Sequence, residues 1–160
     1  MKIYPWITGI LVLVSIIYFL ISISSKLYVE DYFAVFGLQK NHLYESVKEI
    51  YGIPKNINAV DDTNYINVQY DGIEFVVQTN VKSPLDEGFV TAVRVYSSDY
   101  RFGKKKIGVG STREEIDIVY KKCKKIVDVD CGFIDGLTWI EFYFDDNNEV
   151  IKIVIYNDGP

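Results

Sequence analysis

The sequence predicts an α+β protein: an N-terminal transmembrane helix, then two helix-plus-antiparallel-meander repeats. The repeats are expected to form one sheet with the helices packed on one face. Three observations predict this. A block of 23 residues near the N-terminus carries no charge. The rest of the chain repeats itself internally. Each copy has a helix signal followed by strands of alternating polarity. The boundaries that follow are 1–25 for the anchor, 26–32 for a linker, 33–100 for repeat 1 and 101–160 for repeat 2. With 160 residues, 49% hydrophobic and 24% charged, the chain has room for one domain or two small units sharing a core. That apolar load excludes disorder, and the charge excludes a polytopic membrane protein.

The charge-free block runs from Ile3 to Ser25. Roughly 20 helical residues cross a hydrocarbon core, and no polar face interrupts this stretch. Tyr4 and Trp6 stand where an interfacial aromatic belt would be, and Lys26 closes the far end. The block reads as an uncleaved signal anchor, with a cleaved signal peptide as the rival. No Cys stands in it or just after it, so a lipoprotein modification site is missing. A first hydrophobic segment with a short tail usually leaves its N-terminus inside. The expected location is therefore the cytoplasmic membrane, single-pass, with the C-terminal domain extracytoplasmic. Mean hydropathy is +0.07 because this block concentrates the apolar residues. The formal net charge is −5, and Lys2 alone precedes the block, so the remainder is more acidic still. An acidic domain lacks the basic footprint of a nucleic-acid binder.

The repeat aligns Phe33–Tyr51 with Phe102–Tyr120 without a gap at an offset of 69. Further on, Ile73 onward (IEFVVQTN) faces Ile140 onward (IEFYFDDN), and VTAVRVYSS from Val90 faces VIKIVIYND from Val150 at an offset of 60. Each copy alone is too short for a good core, so the two should share one. The first helix is expected to start near Asn41, with Leu43, Val47, Ile50 and Tyr51 on one face and Gly52-Ile53-Pro54 as its stop. In the second, Ser111–Glu115 carries overlapping capping boxes, followed by apolar positions 116, 119, 120, 123 and 127. The basic run 121–125 would then sit at a helix C-terminus. The strands alternate. Ile73, Phe75 and Val77 oppose Glu74, Val76 and Gln78, and Ile140, Phe142 and Phe144 oppose Trp139, Glu141 and Tyr143. Ile151, Ile153 and Ile155 are backed by Lys152, Val154 and Tyr156, and Val93 and Val95 by Arg94 and Tyr96. Asp71-Gly72 and Asp146-Asn147-Asn148 supply hairpin turns.

The string IGVGSTREEIDIVY, followed by WIEFYFDDNNEVIKIVIYN, resembles the repeat of the β-lactamase inhibitory protein. It is also similar to the small outer-membrane assembly lipoproteins, which share a helix-plus-meander unit. The resemblance covers about residues 33–158 as two units and implies the fold more than a shared partner. Two features depart from that pattern. An anchor replaces the lipoprotein cysteine, and Gly52 has no counterpart at Lys121, where such helices often end in a Tyr-Gly turn.

Catalytic sets are missing from the sequence. The lone His42 falls in the first turn of the expected helix and reads as a solvated side chain. Asp61-Asp62 and Asp145-Asp146 read as turn formers. Asp128 and Asp130 lack the following ligands of a calcium loop. Gly103, Gly108 and Gly110 around three lysines do not end in the Gly-Lys-Ser/Thr of a phosphate loop. Cys123 and Cys131 flank a helix-to-strand connection. In an oxidising compartment they could close a short loop worth about 2–3 kcal/mol on the chain-entropy model, and the plainer reading is two unpaired core residues. No metal and no cofactor are expected.

What remains is the open sheet face. By parity it carries Trp139, Tyr143, Tyr156 and Tyr96 among Glu74, Glu141, Arg94 and Lys152, a mixture typical of protein interfaces. The expectation is a membrane-anchored, extracytoplasmic, non-enzymatic protein-binding domain. Its sharpest form is an inhibitor or immunity-type protein that neutralises an enzyme or toxin, with a basic protein as the suited partner. Two alternatives stand beside it: a cell-envelope assembly or structural scaffold subunit, and a small-ligand or glycan sensor domain. Three Ala against 21 Ile point to an AT-rich gene, as in a low-GC bacterium.

Overall fold

The computed structural model describes residues 32–38, 42–80, 83–103, 105–120, 124–126, 129–135 and 138–157. Asp31–Pro160 form one compact unit. In chain order it contains a 3-10 turn (Ala34–Phe36), α1 (Tyr44–Tyr51), β1 (Asn56–Ala59), β2 (Tyr65–Tyr70), β3 (Ile73–Gln78), a second 3-10 turn (Leu85–Glu87) and β4 (Phe89–Val95). Then come β5 (Arg101–Phe102), β6 (Ile107–Gly108), α2 (Arg113–Val119), β7 (Lys124–Ile126), β8 (Val129–Asp135), β9 (Thr138–Phe144) and β10 (Val150–Asn157). Eight strands form one sheet in the order β1-β2-β3-β4-β10-β9-β8-β7, and every neighbouring pair is antiparallel. β5 and β6 make a separate hairpin.

This corrects the expected fold class. The described residues are predominantly sheet, and the two α-helices have 8 and 7 residues. Among the described residues no helix is long and apolar enough to cross a membrane. The charge-free block 3–25, which carried the expected anchor, lies outside them. The second helix also ends sooner than its apolar spacing predicts, with Val119 last and Tyr120 as its C-cap. Two turns of helix are marginal in isolation. Beyond them Ile126 and Val129 are β-branched residue types that favour extended backbone, and Lys124–Ile126 gain a ladder with β8. Lys124 and Lys125 therefore lie on a strand at the edge of the sheet and not at a helix terminus.

Helix starts differ from expectation for local reasons. α1 begins at Tyr44, and its N-cap Leu43 makes no side-chain cap. Backbone bonds hold it instead: Tyr44 N–H donates to the Gly88 carbonyl at 2.9 Å and Val90 N–H to the His42 carbonyl at 2.7 Å. Tyr44 and Val47 are its buried residues, while Ile50 is 55% exposed. Asn41 lies outside the described residues. α2 uses one of its two overlapping boxes. The Thr112 hydroxyl accepts from Glu115 N–H and the Glu115 carboxylate accepts from Thr112 N–H. Ser111 is buried and accepts from Gly108 N–H and from Arg101 Nη1, each at 3.2 Å.

The core spans both halves. From β2, β3 and β4 come Val68, Phe75 and Val93, and from β9 and β10 come Phe142, Ile153 and Ile155. Phe36, Tyr44, Phe102 and Ile116 pack against that side from the 3-10 turn, α1, β5 and α2. Each such buried side chain stabilises the fold by about 1.5–3 kcal/mol. The opposite face of the sheet carries the polar and aromatic residues.

Candidate functional site

Strand register arranges the open face in rows across the sheet. One row runs Asn67, Val76, Ala92, Tyr156, Trp139 from β2 to β9, and the next runs Gln69, Glu74, Arg94, Val154, Glu141. Two bulges set this register. Val76 pairs with Ala92 while Val77 pairs with Val90, so Thr91 is the extra residue of β4. Val150 pairs with Phe144 while Lys152 pairs with Tyr143, so Ile151 is the extra residue of β10. A bulge shifts alternation by one. It lets Val90 enter the core while Ala92, two residues on, faces the other way.

The eight residues expected on this face fall into two groups. Glu141 is 7% exposed and accepts three hydrogen bonds: from Trp139 Nε1 at 2.9 Å, Tyr143 OH at 2.9 Å and Tyr156 OH at 3.2 Å. Trp139 is 9% exposed. A carboxylate so placed needs these donors to offset its lost hydration. Lys152 Nζ stands 3.4 Å from the Tyr143 ring centroid, a cation–π contact. In the second group Arg94 Nη1 donates to Glu74 and, at 3.2 Å, to Asn67 Oδ1. Tyr96, just past β4, is 44% exposed. Burial pushes the Tyr143, Tyr156 and Tyr96 phenols up, and the carboxylate charges of Glu141 and Glu74 add to it. These phenols stay protonated, and those of Tyr143 and Tyr156 keep donating to Glu141. Trp139 and Glu141 thus brace the face from within, and Tyr143, Lys152, Tyr156 and Tyr96 are the more exposed members.

A depression of about 500 Å³ adjoins both groups. Val76, Thr91 and Ala92 line it, with Tyr65, Gln78 and Asn157 around them and Arg94 and Tyr156 shared with the clusters. Sequence reasoning missed it. The available signal was the spacing Val90, Val93, Val95, which breaks the period of two.

Other expected residues are placed as follows. Cys131 is buried and disulfide-bonded, and Cys123 lies outside the described residues. His42 is not a solvated helix residue. It precedes α1 with φ 45°, and its ring meets Phe33 edge-on at 4.8 Å between centroids. Its Nδ1 is buried without a hydrogen-bond partner among the described residues. Asp145 caps its own turn, accepting from Asn147 N–H at 3.0 Å and Glu149 N–H at 2.8 Å. Among the described residues no group of three or more His, Cys, Asp or Glu could hold a metal ion.

No family model matches the chain, and no curated protein matches it in sequence. Solved structures do resemble its fold. An extracellular protein containing a SCP domain from Bacillus anthracis aligns with TM-score 0.56 and 13% identity, over 74% of this chain and 44% of that one. A cysteine-rich secretory protein from Staphylococcus aureus aligns with TM-score 0.51 and 12% identity, over 73% and 44%. A DUF4309 family protein from Bacillus subtilis aligns with TM-score 0.48 and 9% identity, over 83% and 97%. The chain thus spans less than half of the first two proteins. At these identities the likeness is one of fold alone. The expected single-pass location in the cytoplasmic membrane is corrected. No described helix is suited to crossing a membrane, and the first two neighbours are described as extracellular and secretory proteins.

Proposed function

We propose that this chain is a non-enzymatic protein-binding domain that works outside the cytoplasm and neutralises an enzyme or toxin, as an inhibitor or immunity-type protein. One observation carries the reading: the buried Glu141 fixes Tyr143 and Tyr156 by hydrogen bonds, and Lys152 lies over the Tyr143 ring. Aromatic anchors held in place before binding lose little side-chain entropy on association. The disulfide-bonded Cys131 supports an oxidising compartment. The net charge of −5 suits a basic partner and makes association salt-sensitive.

The test uses the full chain in its native cells, with a photo-crosslinking residue at position 96 on the face or at position 53, an exposed site outside it. One protein should crosslink from 96 and not from 53, and Lys152→Glu should abolish that product. Identical products from both positions, or a product indifferent to Lys152→Glu, would overturn the proposal.

A further inference from the structure

The depression over β3 and β4 has a chemistry of its own. We infer that it is a binding site for a neutral saccharide. Its floor is small and apolar, because the β4 bulge turns Thr91 and Ala92 to the open side next to Val76. Its walls are larger. Tyr65 stands on β2 and Tyr156 on β10, three strand spacings away, or about 14 Å. Three carboxamides, those of Asn67, Gln78 and Asn157, line it. The volume of about 500 Å³ lies within the range of small-molecule pockets.

Electrostatics and hydrogen bonding narrow the occupant. An anion would find Arg94 as the lining cation, with its guanidinium already held by Glu74 and Asn67. A cation would find no carboxylate among the lining residues. A purely apolar ligand would strip water from three amides and return no partner, at a cost for each. A peptide cannot add to the sheet here, because β3 and β4 are interior strands with both edges paired. Hydroxyl groups both donate and accept, as carboxamides do. The C–H face of a sugar ring suits the electron-rich faces of the two tyrosines. The walls are also set in advance: Tyr156 OH is tied to Glu141 and Asn67 to Arg94, so little ordering remains on binding.

Tyr65 and Gln78 belong to this groove and not to the protein-contact cluster, so the two sites can be tested apart. The full chain is titrated by calorimetry and by NMR with maltotriose, cellotriose and triacetylchitotriose. At least one should bind saturably, with Kd between about 10 μM and 1 mM. Tyr65→Ala should weaken it at least about tenfold, a loss of about 1.4 kcal/mol. Gln78→Ala should weaken it as well, and Ala92→Leu, which fills the floor, should abolish it. Tyr65 and Gln78 are exposed, so those two variants test the site even if Ala92→Leu does not fold. No binding of any of the three sugars up to about 20 mM, or binding unchanged by Tyr65→Ala, would overturn the inference.

Discussion

Glu141 is the residue on which the candidate face depends most, and its removal has a calculable cost. In Glu141→Ala, Trp139 Nε1 loses an acceptor at 2.9 Å while the indole remains buried. A buried donor left unpaired costs about 1–3 kcal/mol. The Tyr143 and Tyr156 phenols lose acceptors at 2.9 and 3.2 Å, but both are half-buried and can turn to water. Each then forfeits only a net bond of about 0.5–1.5 kcal/mol. Relief of the carboxylate's own desolvation offsets part of the sum, leaving an expected destabilisation of about 2–4 kcal/mol. Glu141→Gln keeps a carbonyl for the indole and the same shape, so about 1–2 kcal/mol is expected. Urea unfolding of the full chain, followed by tryptophan emission, measures both. The midpoint should fall in the order wild type, Gln, Ala, with an unchanged denaturant slope. A Glu141→Ala variant within about 0.5 kcal/mol of wild type, or a Gln variant weaker than Ala, would refute the bracing role.

Three further outcomes follow from local geometry. Thr112→Ala removes the capping box of α2 and should cost about 1 kcal/mol in the same unfolding assay. Gly108→Ala would place a Cβ 2.4 Å from the Tyr100 carbonyl oxygen, so the β5–β6 hairpin must shift, and a loss of about 1–3 kcal/mol is expected. Burial, and then hydrogen bonds to neighbouring groups, hold the Tyr51, Tyr70 and Tyr143 phenols above the ordinary range. Their folded pKa values exceed the unfolded value of about 10, so the stability they contribute is intact below pH 10 and lost as pH rises through the folded values. Ultraviolet titration near 295 nm should show those three ionising late, and Tyr143→Phe should flatten the alkaline loss of stability.

How much of this was legible in the sequence varied with the physics involved. Alternation placed Phe75, Val77, Ile140 and Phe142 in the core and Glu74, Arg94, Glu141 and Tyr156 on the other face, because a strand paired on both sides has little freedom to choose. Helix length was not legible. The apolar spacing from 116 to 127 fits a helix, but Lys124–Ile126 turn back in a tight hairpin on β8, with Ile126 opposite Val129, and β8 is itself held by β9. The buried state of Glu141 was hidden too. A charged residue between two aromatics on a strand reads as solvent-facing, and only the reach of Tyr156 from the next strand, with Trp139 and Tyr143 beside it, makes burial tolerable.

The two halves use one backbone device with different side chains. At the offset of 69, His42 and Leu43 align with Ser111 and Thr112, and at the offset of 60, Phe89 and Val90 align with Glu149 and Val150. Both sets make the same bridge: Leu43 with Phe89 and Thr112 with Glu149. Val90 N–H donates to the His42 carbonyl, as Val150 N–H does to that of Ser111. Directly after each bridge comes a bulge, at Thr91 in β4 and at Ile151 in β10. The bulge in β4 is followed by Ala92, which leaves the sheet face hollow. The bulge in β10 is followed by Lys152, whose ammonium lies on the Tyr143 ring. A backbone irregularity shared by both halves thus yields a groove in one and a braced aromatic surface in the other. The difference rests on side-chain volume and charge at two aligned positions, Ala92 and Lys152.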